Sequence, residues 1–158
     1  MKANNGKGNN SLRDEWQTPQ ELFEKLHKQY HFKFDCCATS KNKKCNLYSE
    51  DFESISIIQK IAWMNPPFSL ACKMFTHFFK SVKRVVAIYR CDNFETRIWQ
   101  KVIFPNVDWI FIPDKRISYK GMDGNGSRFP SALIGVGVDI PKGLSGTILN
   151  VKKNFIYY

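Results

Sequence analysis

Apolar and polar positions follow two different rhythms along this chain. In TPQELFEKLHKQY, residues 18–30, the apolar residues Leu22, Phe23, Leu26 and Tyr30 recur at helical spacing. Thr18 suits the N-cap of that helix, Pro19 its first position, and Glu21 the far corner of a capping box. FKFDCCA then alternates like a strand that ends at Asp35. KIAWM and RVVAIYR are short unbroken apolar runs, the pattern of strands buried on both faces of a parallel sheet. Between them SLACKMFTHFFKSVK returns to helical spacing, so the three segments predict a strand, loop, helix, strand unit. Farther on VDWIFIP, KRISY, SALIGVGV and TILNV read as strands, around the Gly-rich loop KGMDGNGSRFP. The fold class is α/β with a strand-rich second half. The opening stretch has almost nothing to bury and reads as a flexible basic arm over residues 1–13, ahead of a single domain over 14–158.

Size agrees with one domain: 158 residues, 43% apolar and 15% aromatic, suffice for one core. Charge adds a partner class. Against 14 Asp and Glu stand 24 Lys and Arg, a formal +10, spread through the folded segments rather than gathered in a tail, which favours nucleic acid over a generally basic surface. No stretch has the length of a membrane-spanning helix and the polar start lacks a signal-peptide core, so a cytoplasmic, membrane-free protein is expected. Five cysteines without CxxC spacing support neither a disulfide framework nor a zinc ribbon, and buried free thiols are expected. Asp92 and Glu95 could pair on a metal, but nothing else supplies a ligand set, and no metal is expected.

The chemistry concentrates at WMNPPFSLAC, residues 63–72. Ligands of open α/β sheets bind beyond the carboxyl ends of the strands, where this loop falls. Pro66 and Pro67 fix the backbone and remove two N–H groups, leaving carbonyls free to accept. Asn65 adds an amide oxygen and Phe68 a flat face, a set that suits a planar group with an exocyclic amine, such as adenine. A Pro-Pro turn with a core Phe explains the same four residues.

NPPF looks like the [DNS]PP[YFW] signature of amino-methylating DNA methyltransferases. The ordered series DEWQTPQELFEKL, FKFDCCATSKNKKCNLYSEDF, AWMNPPFS, VVAIYRCDNFETRIW, DKRISY and SRFPSALIGVG resembles the phage-type DNA N-6-adenine methyltransferase family over nearly the whole chain. The resemblance implies a Rossmann-like three-layer sandwich with a mixed, mostly parallel sheet. It implies S-adenosylmethionine as cofactor, double-stranded DNA as substrate, and a phage or prophage enzyme acting in a bacterial host. The target adenine would be flipped out of the duplex, Phe68 would stack on it, and the Asn65 side chain and Pro66 carbonyl, with Pro67 stiffening the loop, would accept from its amino group. No separate nucleophile is then needed, because positioning and aimed dipoles carry the reaction.

For the cofactor, the resemblance implies contacts from Trp16, Thr18 and Pro19 in DEWQTP, from Asp35, Cys36 and Ala38 at the DCCATS turn, from Asn42, and from Asn65. Asp51 would accept from the cofactor adenine amine and Phe52 would lie against its ring. Thr18 and Pro19 can equally serve only as a helix start. For DNA, Arg90, Arg97, Lys115, Arg116 and Arg128 are the candidates, interleaved with aromatic residues on loops, and Trp99 is expected near the pocket mouth. Two other readings remain open: a catalytically silent relative that binds DNA, and a small basic nucleic-acid-binding protein without cofactor.

Overall fold

The computed structural model describes residues 14–121 and 129–154, so the arm over residues 1–13 and Arg128 lie outside the described residues. The first element is helix α1, Gln20–Tyr30, which buries Phe23, Leu26 and Tyr30. It ends where His31 turns left-handed (φ 53°), its N–H closing on the His27 carbonyl at 2.9 Å. Its start differs from the expected cap. Pro19 itself holds the cap position with an extended backbone (ψ 134°), no side chain among the described residues caps the helix, and Glu21 pairs with Lys25 at 2.9 Å. The extended Pro19 moves Thr18 one residue back, out of reach of the first-turn amides.

Among the described residues seven strands form one sheet: β1 Phe34–Asp35, β2 Leu47–Tyr48, β3 Ala62–Met64, β4 Val85–Arg90, β5 Trp109–Pro113, β6 Ser131–Val136 and β7 Gly146–Asn150. Their order is β2-β1-β3-β4-β6-β5-β7. The first four in that order are parallel, and β6 runs antiparallel between β4 and β5, which therefore point the same way. Helix α2, Ala71–Ser81, covers the sheet between β3 and β4, and a π-helical turn, Ile98–Ile103, joins it on the same face. A short helix α3, Val151–Asn154, follows β7.

Strand alternation separates the two cores. Ala62, Met64, Val85, Ala87, Ile110 and Ile134 pack with Phe75 and Phe78 of α2. Their neighbours Trp63, Val86, Ile88, Trp109, Phe111 and Leu133 pack with Phe23 and Leu26 of α1. Helix, sheet and helix make three layers, and the strands between are apolar on both faces, as the unbroken runs KIAWM and RVVAIYR require.

KRISY does not form a strand. β5 is already bonded to β6 on one side and β7 on the other, so the segment has no free edge beside it. Its alternation is still physical: Ile117 and Tyr119 are buried and Arg116, Ser118 and Lys120 exposed, as in an extended segment laid against the fold. Trp99, expected near the pocket mouth, is fully buried, and its indole N–H donates to the Arg90 carbonyl at 3.1 Å. Of the five free cysteines Cys36, Cys45 and Cys91 are buried and Cys37 half-buried, whereas Cys72 is exposed on α2. Burial pushes the Cys45 thiol up to about 12 and the Cys91 thiol to about 11.

Gly135 of β6 is a close-approach position. A Cβ there would meet the Trp109 indole at 2.0 Å, and that indole is held by its N–H to the Val138 carbonyl at 2.9 Å. Gly135→Ala is expected to cost about 1–3 kcal/mol of stability by overpacking. The measurement is the chemical-denaturation midpoint, and an unchanged midpoint would show that the indole moves aside freely.

Candidate active site

β1, β3, β4 and β5 all deliver their carboxyl ends to one edge of the sheet. The segments that follow them, 36–44, 65–70, 91–97 and 114–121, share that edge, the usual ligand position in an open α/β sheet. A cleft of about 220 Å³ opens there. Of the residues expected at a cofactor, Trp16, Thr18, Asp35, Ala38, Asn42, Asp51 and Asn65 line it. Pro19, Cys36 and Phe52 do not. Cys36 and Phe52 are buried in the α2-side core, Phe52 against Phe78 and edge-on to His77, while their neighbours Cys37 and Asp51 face the cleft. Carrying the strand alternation one residue past Asp35 would have selected Cys37 over Cys36.

The floor of the cleft is built by Asp35. Its carboxylate accepts the Lys44 N–H at 2.9 Å and the Cys37 N–H at 3.3 Å, which draws both ends of the 36–44 loop together. Burial raises its pKa above the ordinary carboxylate range, opposed by those two backbone bonds. Asn42 bonds the start of the same loop, accepting the Thr39 N–H at 2.7 Å. Asp51 stands at the mouth, exposed, ahead of the 3-10 turn Phe52–Ser54.

Charge on the lining opposes that of the whole chain. Asp14, Asp35, Glu50, Asp51 and Glu53 face the cleft with Lys44 as the one cation among its lining residues, in a protein of formal charge +10. Such a lining repels phosphate and favours a ligand carrying positive charge. The Thr18 hydroxyl, 1% exposed on the same wall, is buried without a hydrogen-bond partner among the described residues. Buried polar groups are ordinarily paired, so this unpartnered hydroxyl is an exception on the cleft wall.

Asn65 stands where the cleft meets the Pro-Pro loop. Its Nδ2–H donates to the Trp16 carbonyl at 3.2 Å, which fixes the amide orientation and leaves Oδ1 with no donor among the described residues. Pro66 is buried, and its carbonyl accepts no bond from the described residues either. Phe68, half-buried, does not line the cleft. Its ring lies beside it in a cluster with Trp16, Tyr89, Tyr119 and Phe129, the Phe129 ring edge-on at 5.4 Å.

Around this cluster the basic candidates divide. Lys115 and Arg116 are exposed in the segment after β5. Arg90 forks onto Asp92 at 2.8 and 2.6 Å and lies 4.5 Å over the Phe129 ring, and its guanidinium holds the Asp92 carboxyl below the ordinary range. Arg97 stands apart, on a groove along α2 with Lys73 and Lys80. Sequence reasoning missed Asp14 and Gln17. Asp14 bonds Ser69, and Gln17 bridges to Lys120 through 3.0 and 2.8 Å backbone bonds. Both contacts join residues too far apart in the chain for local spacing to reveal.

A seven-stranded α/β sheet with an antiparallel strand between β4 and β5, and a ligand cleft at the carboxyl ends, is a Rossmann-like methyltransferase fold. The family model described as DNA N-6-adenine-methyltransferase (Dam) matches residues 5–132, most of the chain, and the protein belongs to that family. No curated protein matches the chain. Among the described residues no helix is long and apolar enough to cross a membrane.

Proposed function

We propose that the chain transfers the methyl group of S-adenosylmethionine to the N6 amino group of adenine in double-stranded DNA, with the target base swung out of the duplex. The observation that carries this reading is the pinned Asn65 amide, its oxygen free at the rim of an acidic cleft. The cleft residues fit the cofactor: the carboxylates of Asp35, Glu50, Asp51 and Glu53 suit its sulfonium and ammonium charges, while both Asp14 oxygens are taken by Ser69, and the orphaned Thr18 hydroxyl offers a further polar contact. When bound, S-adenosylmethionine supplies an electrophilic methyl group.

The protein's own part is positional. Phe68 stacks on the extruded base, while Asn65 Oδ1 and the Pro66 carbonyl accept from its amino hydrogens. Those acceptors would favour the positive charge that grows on the amine as its N–C bond forms and the methyl–sulfur bond breaks, and the surplus proton of the methylated amine would then pass to solvent rather than to Asn65 or Pro66. Asp51 and Asn42 hold the polar groups of the cofactor. Lys115 and Arg116, with Arg90, meet phosphates, so DNA affinity falls as salt rises. Free thiols and a DNA substrate suit a reducing, DNA-containing compartment such as a bacterial cytoplasm, where a phage-encoded enzyme would act.

The test is methyl transfer from labelled S-adenosylmethionine to unmethylated DNA, with methylated positions mapped by sequencing. Label at adenine N6 is expected. Cofactor and DNA binding without transfer would identify a silent relative, and DNA binding with no cofactor affinity would identify a simple basic DNA-binding protein.

A further inference from the structure

Residues 14–17 lie across the Pro-Pro loop and grip it at both ends. At the front, the Trp16 carbonyl receives the Asn65 amide at 3.2 Å. At the back, the Asp14 carboxylate receives the Ser69 N–H at 3.0 Å on one oxygen and the Ser69 hydroxyl on the other. Between these grips the Trp16 ring sits edge-on to Phe68 and stacks on Tyr119 with centroids 6.0 Å apart. One residue farther on, Gln17 exchanges two backbone bonds with Lys120. The loop itself carries two prolines and so has few N–H groups with which to anchor itself. Its first amide donor after the prolines that meets a carboxylate is that of Ser69.

We propose that Asp14 is a positioning residue for methyl transfer: by holding Ser69 on both oxygens it fixes where the Asn65 oxygen, the Pro66 carbonyl and the Phe68 ring stand relative to the cleft. This rests on the methyl-transfer reading above. Asp14 touches neither the target base nor the reacting atoms; it acts through Ser69. A loop that drifts by an ångström misaligns acceptors and base together, and such displacements lower turnover by on the order of 10²-fold.

The experiment is a cycle of Asp14→Ala, Ser69→Ala and the double variant in the full chain. For Asp14→Ala, kcat is expected to fall about 10- to 100-fold. Ser69→Ala keeps its backbone donor and should lose less, and the double variant should be no slower than Asp14→Ala alone. Dissociation constants for S-adenosylmethionine should stay within a few-fold of wild type. Losses that simply multiply, or a weakened cofactor with kcat intact, would overturn the proposal and make Asp14 a cofactor contact. Asp14→Asn retains an acceptor for the Ser69 N–H and is expected to recover part of kcat; if Asp14→Ala fails to fold, that variant, beside Ser69→Ala, carries the test. Amide exchange at Ser69 is read independently of activity and should quicken about tenfold in Asp14→Ala, as loss of a bond to a charged acceptor implies. If the wild type transfers no methyl, the functional reading fails; an unchanged Ser69 exchange rate overturns the grip itself.

Discussion

Asn65→Ala is expected to lower kcat for methyl transfer by on the order of 10²–10³-fold, the usual loss when one preorganised group aimed at developing charge is removed. Three observations set that size. The amide is already oriented by the Trp16 carbonyl, so no reorganisation is needed when the substrate arrives. Its oxygen has no competing donor among the described residues. It lies on the lining of the cleft and is half-buried, where a dipole is screened less than in water. The fold should tolerate the change, since one neutral side-chain bond contributes about 1 kcal/mol. Cofactor affinity measured by titration should move little, and the loss should sit in kcat rather than in KM for DNA. Wild-type turnover in this variant would remove Asn65 from the reaction. A loss confined to KM would make it a binding contact instead.

The elements that position Asn65 are those whose rhythm is plainest in the sequence. KIAWM, the helical stretch after it and RVVAIYR become β3, α2 and β4, because each buries side chains at the period of its own geometry. β2 has no such signal: it is two residues long, and Leu47 and Tyr48 are not buried, so no pattern of burial is written into it. The π-helical turn at Ile98–Ile103 is equally hidden, because six residues with apolar pairs at each end do not distinguish one helical pitch from another. Composition explains the charge of the whole chain but not its reversal in the cleft, where five carboxylates from three separate segments meet only after folding. Within the site, residue types were legible and their directions were not. Cys36 and Phe52 each sit one position away from a residue that faces the cleft, and a step of one along extended chain reverses the side chain. The grip of Asp14 on Ser69 spans 55 residues and carries no local signature at all.

On the proposed methyl-transfer reading Phe68 serves two demands, core packing and stacking on the base, and three variants should separate them. Its ring is half-buried and packs against both cores, with Trp16, Tyr89, Tyr119 and Phe129 around it. Phe68→Ala should therefore cost stability as well as turnover, with about 3–5 kcal/mol as the upper bound set by fully buried phenylalanines. Stacking on an extruded base is a further contribution of about 1–3 kcal/mol that only an aromatic face supplies. Phe68→Leu keeps most of the packed volume, so its melting temperature should stay near wild type, with a cost below about 1.5 kcal/mol. Its methyl transfer should nevertheless fall by roughly 10-fold or more, because the π-face is gone. Phe68→Tyr keeps that face and should retain transfer, provided the added hydroxyl reaches solvent at the half-exposed edge. Cofactor affinity should be nearly constant across Leu and Tyr, since the ring does not line the cleft. If Phe68→Leu transferred methyl at the wild-type rate, the residue would be a core phenylalanine that happens to follow two prolines, and the base would have to be held by another ring of the cluster. Because Trp16 and Tyr119 both face Phe68 edge-on, the same assay on Trp16→Leu and Tyr119→Leu would identify which ring that is.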